Sequence, residues 1–300
     1  MKKIILLFTL FVTVCSACTQ TVAQKSGSLL WKISGKDLSK PSYLLGTLHL
    51  KSGEYLDSIP GARAALQSCE QVVGEINTSD MAAMQMQMQQ AMMMNSDTTY
   101  RMLYSEEDYR FVNEKVTSFL GAGLGQLGML KPAAINQMVV VFAYQKYFPD
   151  INIENTLDIY IQSEAVKEQK TVVALETAEH QIHVLFGMTS LQRQADDLLC
   201  AMRNIDKLLA FAPELIEDYN RGDLDKLYQS LEKNNEICPS TTSEMDALNK
   251  DRNNAWMQQL SEIMKEKSSF IAVGALHLAG EEGLLNLLKE AGYTVEPVEL

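Results

Sequence analysis

Two segments far apart in the chain share the ending Gly-x-Leu-His-Leu. Ser42–Leu50 reads SYLLGTLHL and Ser269–Leu278 reads SFIAVGALHL, and they carry two of the four histidines, His49 and His277. Neutral imidazoles bind divalent metal ions, and a carboxylate as third ligand with an open position for water completes a hydrolytic site. Two histidines that merely bond to backbone at strand ends are the alternative. The repeated motif favours the metal site.

Glu75 is the carboxylate that best suits the third position. It lies near the end of the apolar run Gln71–Ile76 (QVVGEI) and follows Gly74. A carboxylate that ends an apolar strand is costly to bury unless it is paired or bound to a metal. We therefore predict that His49, Glu75 and His277 hold the metal. A Glu75 side chain that simply reaches solvent is the alternative.

Two further charged residues are predicted to take part in catalysis. Glu176 follows the apolar run Thr171–Leu175 (TVVAL), and Arg252 lies in the helical segment DRNNAW. The metal, Arg252 or a helix N-terminus would each stabilise the charge of Glu176. We predict that Glu176 acts as general base or supports the ligands, and that Arg252 stabilises the developing oxyanion. An arginine on the surface is the alternative.

Two rival metal sites compete with this prediction. Glu176, His180 and His183 have the spacing i, i+4, i+7, which would place them on one face of a helix. Residues 81–94 are rich in methionine, and thioethers suit Cu(I). A methionine stripe is more often adaptable apolar packing or a peptide-binding surface, which we favour here. The chain contains no HExxH motif.

The strands and helices that position these residues can be predicted from the apolar runs and from the residues that end them. Each Gly-x-Leu-His-Leu run predicts a buried strand, followed by a helix (59–69 or 281–291) and another strand (71–76 or 293–298). These are βαβ units, and ligands bind at the carboxyl ends of parallel strands. The predicted fold is α/β: a central, mainly parallel sheet built from βαβ units at both ends of the chain, with a large helical insertion at about 80–265. The strand of Glu75 should neighbour that of His49. Helices are predicted at 81–94, 105–120, 134–147, 156–168, 177–187, 190–212, 213–232 and 244–266, and a strand at 171–175.

The class of protein is limited by its N-terminal segment, its net charge and its cysteines. Residues 1–23 have the pattern of a signal peptide, with lipoprotein-type cleavage before Cys18 favoured over cleavage before Gln24. This predicts an exported protein, periplasmic or lipid-anchored in the bacterial cell envelope, with membrane contact only through that anchor. A net charge of −12 argues against nucleic acid as a partner. Of the remaining cysteines, Cys200 and Cys238 are the preferred disulfide pair.

The order of these motifs resembles the TraB/GumN family, which includes the eukaryotic Tiki proteins. The matching pieces cover about 30–298 and are SYLLGTLHL, QVVGEI, NTLDIYI, VVALETAEHQ, DRNNAW and AVGALHLAGEEGLLNLLKEAGYTV. On the resemblance, residues 28–300 form one TraB/GumN-like domain, similar in fold to erythromycin-esterase-like and ChaN-like proteins.

The resemblance also implies a site and an activity. The family's two GxxH motifs fall on Gly46/His49 and Gly274/His277, and its acidic strand end falls on Glu75. Its LE pair falls on Leu175-Glu176, its RN pair on Arg252-Asn253, and its mid-chain aspartate on Asp158, preceded here by leucine where valine is more usual. His180 and His183 are not hallmarks of the family. The Tiki branch implies a metal-dependent peptidase that is active with manganese or cobalt and trims extracellular proteins.

The sequence thus predicts a divalent-metal-dependent hydrolase of the cell envelope, of peptidase type, acting on a peptide or protein substrate. Manganese or cobalt is the expected ion, with zinc as the alternative. The competing function is a non-catalytic envelope protein that sequesters a peptide or small ligand in the same cleft.

Overall fold

The structure, a computed structural model, describes residues 27–78, 81–147 and 155–298. The predicted signal peptide at 1–23 and its Cys18 lie outside the described residues. Among the helices of the described ranges, none combines the length and apolar character needed to cross a membrane.

The described strands form one mixed sheet that confirms the predicted α/β class. Its spatial order is β4-β3-β5-β2-β1-β6, and the pairs β4-β3, β3-β5 and β5-β2 are parallel, whereas β1 runs antiparallel to both of its neighbours. The central strands are buried along most of their length, as expected for continuous apolar runs covered on both faces. The strands are Leu30–Ser34 (β1), Ser42–Thr47 (β2), Gln71–Gly74 (β3), Thr171–Ala174 (β4), Ser269–Gly274 (β5) and Thr294–Pro297 (β6).

The strand order corrects one expectation from the sequence. The strand of Glu75, β3, does not neighbour the strand of His49, β2, because the C-terminal strand β5 lies between them and pairs with both. Similarly, β6 crosses over to pair with β1, a strand that the sequence did not predict. Each βαβ unit therefore has strands that run in the same direction without being adjacent, and the two ends of the chain interleave in one sheet.

The helices of the insertion lie between β3 and β5, and β4 is the strand among them. Short 3-10 helices at Gly53–Ser58 and Ala275–His277 follow β2 and β5. The α-helices are Ala62–Ser68 (α1), Met81–Ala91 (α2), Tyr100–Leu103 (α3), Glu106–Leu120 (α4), Pro132–Tyr147 (α5), Leu157–Lys167 (α6), Ala178–Phe186 (α7), Leu191–Ala210 (α8), Ala212–Asn220 (α9), Leu224–Ile237 (α10), Thr242–Leu248 (α11), Lys250–Glu266 (α12) and Leu284–Glu290 (α13).

Two of the predicted helices are each divided in two. The segment 213–232 breaks at Gly222, which has a φ of +66° that favours glycine, and Asp223 then caps α10. The segment 244–266 breaks at Asn249, whose side chain donates a hydrogen bond to the carbonyl of Leu276. This second break matters for function because α12, which carries Arg252, starts directly after it.

The apolar core has two main parts. One surrounds the sheet and includes Phe270 and Trp256, both fully buried. The other lies inside the helical insertion, between α4, α5 and α8. In the methionine-rich segment, Met84 and Met88 are buried and Met88 packs against α7, which agrees with the packing role favoured above, while Met86 is exposed.

Cys200 and Cys238 form a disulfide, which confirms the preferred pairing. The bond ties α8 to the end of α10, across a separation of 38 residues. The remaining described cysteine, Cys69, is buried and free. The disulfide therefore fixes two helices of the insertion to each other.

We expect the double variant Cys200→Ser/Cys238→Ser to lose about 2–4 kcal/mol of unfolding free energy, because a cross-link of this span restricts the unfolded chain. Urea unfolding monitored by circular dichroism measures the loss. The control is dithiothreitol, which should destabilise the wild-type protein to the same degree and leave the double variant unchanged. Equal stability of the two proteins without reductant would contradict the prediction.

Candidate functional site

The candidate site forms where the parallel strands end. β2, β5, β3 and β4 all finish at the same edge of the sheet, with Thr47 paired to Gly274 and Gly74 paired to Ala174. His49, Glu75, Glu176 and His277 each follow one of these ends by one to three residues. The topology thus brings the predicted residues to one edge, as expected for ligand sites of parallel sheets.

Arg252 is the central charge of the site. Its side chain is only 2% exposed, and its Nη2 contacts Glu75 Oε2 at 2.6 Å and Glu176 Oε1 at 2.5 Å. Its Nε lies 3.1 and 3.2 Å from the two oxygens of Glu176, and its Nη1 donates to the carbonyl of Leu248 and to Nε2 of His277. A surface arginine is thereby excluded, and both carboxylates at the strand ends are paired with one guanidinium.

Glu75 is held in its charged form despite its burial. Burial alone would raise its pKa, but the charges of Arg252 and His49, with a 2.8 Å hydrogen bond from the backbone N–H of Gly274, lower that pKa to about 2. Gln181 of α7 donates to the second carboxylate oxygen at 3.0 Å.

His277 has a defined tautomer because its two nitrogens meet different partners. Nε2 lies 3.0 Å from Nη1 of Arg252, which can only donate, so Nε2 accepts. Nδ1 therefore carries the proton and donates to Oδ1 of Asn253 at 2.7 Å. Burial and the charge of Arg252 lower the pKa of His277 to about 3, and the ring packs against Trp256. The imidazole is neutral, with its Nε2 lone pair directed into the site.

His49 is oriented by a carboxylate. Its Nδ1 lies 2.7 Å from Oδ2 of Asp158, in the first turn of α6, and Thr47 donates to the other oxygen of Asp158. Burial would lower the pKa of His49, but the charge and hydrogen bond of Asp158, together with Glu75, raise it to about 9. The Nε2 atom has no hydrogen-bond partner among the residues described. Both site histidines are thus held at Nδ1, as metal-binding histidines usually are.

The donor atoms suit a divalent ion in type: two imidazole Nε2 atoms and the Glu75 carboxylate. Their arrangement is not that of a complete ligand set, since within 27–78, 81–147 and 155–298 no three His, Cys, Asp or Glu side chains are grouped to hold a metal. Nε2 of His277 and Oε1 of Glu75 are 4.0 Å apart, and Arg252 contacts both residues. The residues fit such an ion by chemistry, and an ion on His277 has to replace the contact from Arg252.

The rival site at Glu176, His180 and His183 is not assembled. Glu176 precedes α7 instead of lying on it, and its carboxylate is already bonded to Arg252. His180 lies 2.9 Å from Glu176, but its side chain is 53% exposed, and His183 is also exposed. In the described part of the chain these three residues form no metal-binding group.

Sequence reasoning assigned no role to several residues that position the site. Asn253 accepts from His277 and donates to the carbonyls of His277 and Glu282, and Gln181 bonds to Glu75. Asp158 entered only through the family motif, without its contact to His49. The signal in the sequence for Asn253 was its position next to Arg252 in the Arg-Asn pair. In the structure Asn253 is fully buried. Gln181 and Thr47 had no signal in the sequence.

The family assignment follows from a comparison with known families. The sequence profile of the TraB/PrgY/gumN family matches residues 29–297. The chain belongs to this family. The match spans both Gly-x-Leu-His-Leu segments and the helical insertion, so the matched range contains every residue of the site described above. No solved structure gave a significant match.

Several curated proteins are similar to most of this chain. Metalloprotease TIKI2 of Danio rerio is 24% identical, and the alignment covers 93% of this chain and 62% of the relative. Metalloprotease TIKI1 of Xenopus tropicalis is 26% identical, and the alignment covers 89% of this chain and 61% of the relative. Metalloprotease TIKI homolog of Nematostella vectensis is 23% identical, and the alignment covers 94% of this chain and 69% of the relative. The alignments with the first two relatives span about three-fifths of their length.

We expect Arg252→Met to destabilise the protein by about 3–5 kcal/mol, because it leaves Glu75 and Glu176 buried without their cation. Denaturant unfolding at neutral pH measures the change. The matched control is Arg221→Met, since that exposed arginine forms an ion pair with Glu217 one turn away, and its loss should stay below about 1 kcal/mol. Similar losses for the two variants would show that the buried pairs are not stabilising.

The low pKa of Glu75 predicts a specific response to acid. Its pKa falls from 4.5 to about 2 on folding, so its contribution to stability is present above pH 4.5 and is lost as the pH falls towards 2. The full contribution is on the order of 3 kcal/mol. We expect the unfolding free energy of the wild type to fall more steeply between about pH 5 and pH 3 than that of Glu75→Gln. If the unfolding free energies of the two proteins changed with pH in parallel, the lowered pKa of Glu75 would be contradicted.

Proposed function

We propose that this protein is a divalent-metal-dependent hydrolase of peptidase type. The single observation that carries the proposal is the pair of histidines at the ends of neighbouring parallel strands, each held at Nδ1 by an oxygen acceptor. The two Nε2 atoms can then take one ligand beside a charged, buried Glu75, once His49 gives up its Nε2 proton and the contact from Arg252 to His277 is released. Such a set has the chemistry of a catalytic metal site with three protein ligands.

His49, Glu75 and His277 would hold the ion, for which manganese or cobalt is proposed and zinc is the alternative. When bound, a divalent ion supplies Lewis-acid polarisation of a carbonyl and a water of lowered pKa. Asp158 and Asn253 fix the orientation of the two imidazoles.

Arg252 and Glu176 work as a unit in this proposal. Three contacts between the guanidinium and the carboxylate fix the plane of Arg252. All five of its N–H groups are engaged in the structure, so the Nη1–H that contacts Nε2 of His277 is the one that would turn to negative charge on a substrate oxygen once an ion takes that nitrogen. Glu176 first serves to position Arg252. Its predicted role as general base requires one of its oxygens to be released from the arginine.

A peptide or protein substrate is proposed because the relatives are named metalloproteases and cover most of this chain. The alternative is a non-catalytic protein that sequesters a peptide or small ligand in the same cleft. The buried Arg252–Glu75–Glu176 cluster would serve such a protein as a polar anchor for the ligand, without metal or cleavage.

The cell envelope is the proposed location. The Cys200–Cys238 disulfide supports it, because structural disulfides persist in oxidising, extracytoplasmic compartments. The N-terminal pattern of residues 1–23, with Cys18 as the lipidated residue, is consistent with attachment to a bacterial membrane. Mass spectrometry of the N-terminus of the native protein distinguishes the lipid-anchored form from the free periplasmic form.

We expect the purified protein to retain about one manganese, cobalt or zinc ion per chain and to cleave members of a peptide library with that ion. His49→Ala and His277→Ala should lose both properties, and Asp158→Ala should weaken metal affinity about 10–100-fold because it only orients His49. Elemental analysis and mass spectrometry of the digest are the measurements.

The matched control is His183→Ala, an exposed histidine outside the site, which should bind metal and cleave like the wild type. Peptide binding without metal and without cleavage, unchanged by His49→Ala and His277→Ala, would refute the hydrolase and favour the sequestering protein.

A further inference from the structure

A cavity of about 190 Å³ opens next to the candidate site, inside the helical insertion. His49 and Leu50 line it, as does Leu248, whose carbonyl accepts from Arg252. The cavity therefore adjoins the polar cluster. A substrate bond held between His49 and Arg252 would place a neighbouring side chain at this opening.

The walls are mainly apolar. One face of α5 contributes Ala133, Val140 and Val141, and Leu185 of α7 and Ala201 of α8 line the opposite parts. Burying apolar surface is favourable by about 25 cal/mol per Å², so walls of this kind favour an apolar occupant over a polar one. In size, an apolar cavity of about 150 Å³ accommodates benzene. The cavity thus suits a single large side chain and is too small for several.

The two acidic residues that line the cavity are paired with an arginine. Asp197 and Glu244 lie there, and Arg193 contacts both, at 3.1 and 2.9 Å. Burial raises the pKa of Asp197 to about 6, with a further increase from Glu244 that opposes the effect of Arg193. The acidic pair therefore provides a weak partner for a substrate cation.

The disulfide makes the cavity a preformed pocket. Cys238 lines it, and Cys200 is adjacent to Ala201 in α8, so the bond between the two cysteines fixes two of the walls. A pocket whose walls are held before binding loses less conformational entropy when a ligand enters.

We propose that this cavity is the specificity pocket of the site and takes one large apolar side chain, the size of leucine, methionine or phenylalanine, from the residue next to the bond that is cleaved. The inference rests on the proposed peptidase function for the identity of the bond. The pocket itself can be tested without any cleavage.

The first experiment measures binding by ligand-observed NMR with the N-acetyl amides of alanine, leucine, phenylalanine and lysine. We expect the leucine and phenylalanine amides to bind at least about tenfold more tightly than the alanine amide. Ala201→Phe and Ala133→Phe fill the cavity from two different helices, so either variant should abolish this preference even if the other fails to fold.

Ala210→Phe is the matched control, because Ala210 lies on α8 like Ala201 but is exposed and outside the cavity. It should keep the wild-type preference. Three results would overturn the proposed apolar pocket. They are tightest binding of the lysine amide, equal binding of all four amides, and an unchanged preference in both filled variants.

The second experiment compares kcat/KM for peptides that differ only in the residue on either side of the cleaved bond. A preference of at least about tenfold for the large apolar residue, lost in the filled variants, supports the proposal. Cleavage without such a preference would overturn the pocket and leave the peptidase intact. Selective binding of the apolar amides without cleavage of any peptide would reject the peptidase and assign the pocket to a sequestering protein.

Discussion

The ion pairs between Arg252 and the two carboxylates Glu75 and Glu176 hold the carboxyl end of the sheet together. Both acids follow apolar strands directly, and both side chains are less than 10% exposed. A buried carboxylate without a partner costs several kcal/mol, so β3 and β4 could not end in this way without a cation between them. The guanidinium satisfies both acids and Nε2 of His277, since its planar fork carries five donors. The charge that stabilises the fold is therefore the same charge that organises the site.

The strand order determines which residues surround this arginine. Because β5 lies between β2 and β3, His277 comes between the segments that carry His49 and Glu75. Close packing supports this order: a Cβ on Gly46 would lie 3.0 Å from the Cα of Ala275. The 3-10 helix after β5 then turns His277 towards α12, where Arg252 and Asn253 bind its two nitrogens. Side chains from both ends of the chain meet because their strands interleave.

The helical insertion contributes more than a cover for the site. It supplies Asp158, which orients His49, and Gln181, which binds Glu75, from two different helices. It also encloses the apolar cavity that adjoins His49, with a disulfide across two of its walls. Polar chemistry thus lies at the strand ends, whereas shape and apolar contact come from the helices.

The sequence by itself determined the α/β class and the strands that end near His49, Glu75, Glu176 and His277. These features are local: an apolar run ending in a charged residue identifies a strand end whatever its neighbours are. Only the tertiary structure decided the position of β5, the pairing of β1 with β6, and the contacts of Asp158 and Asn253 with the two histidines. Strand order and side-chain partners depend on packing between residues that lie as far apart as Trp31 and Pro297, and periodicity contains no information about such contacts. The cavity is likewise a property of five separate segments together, so no one of them could reveal it.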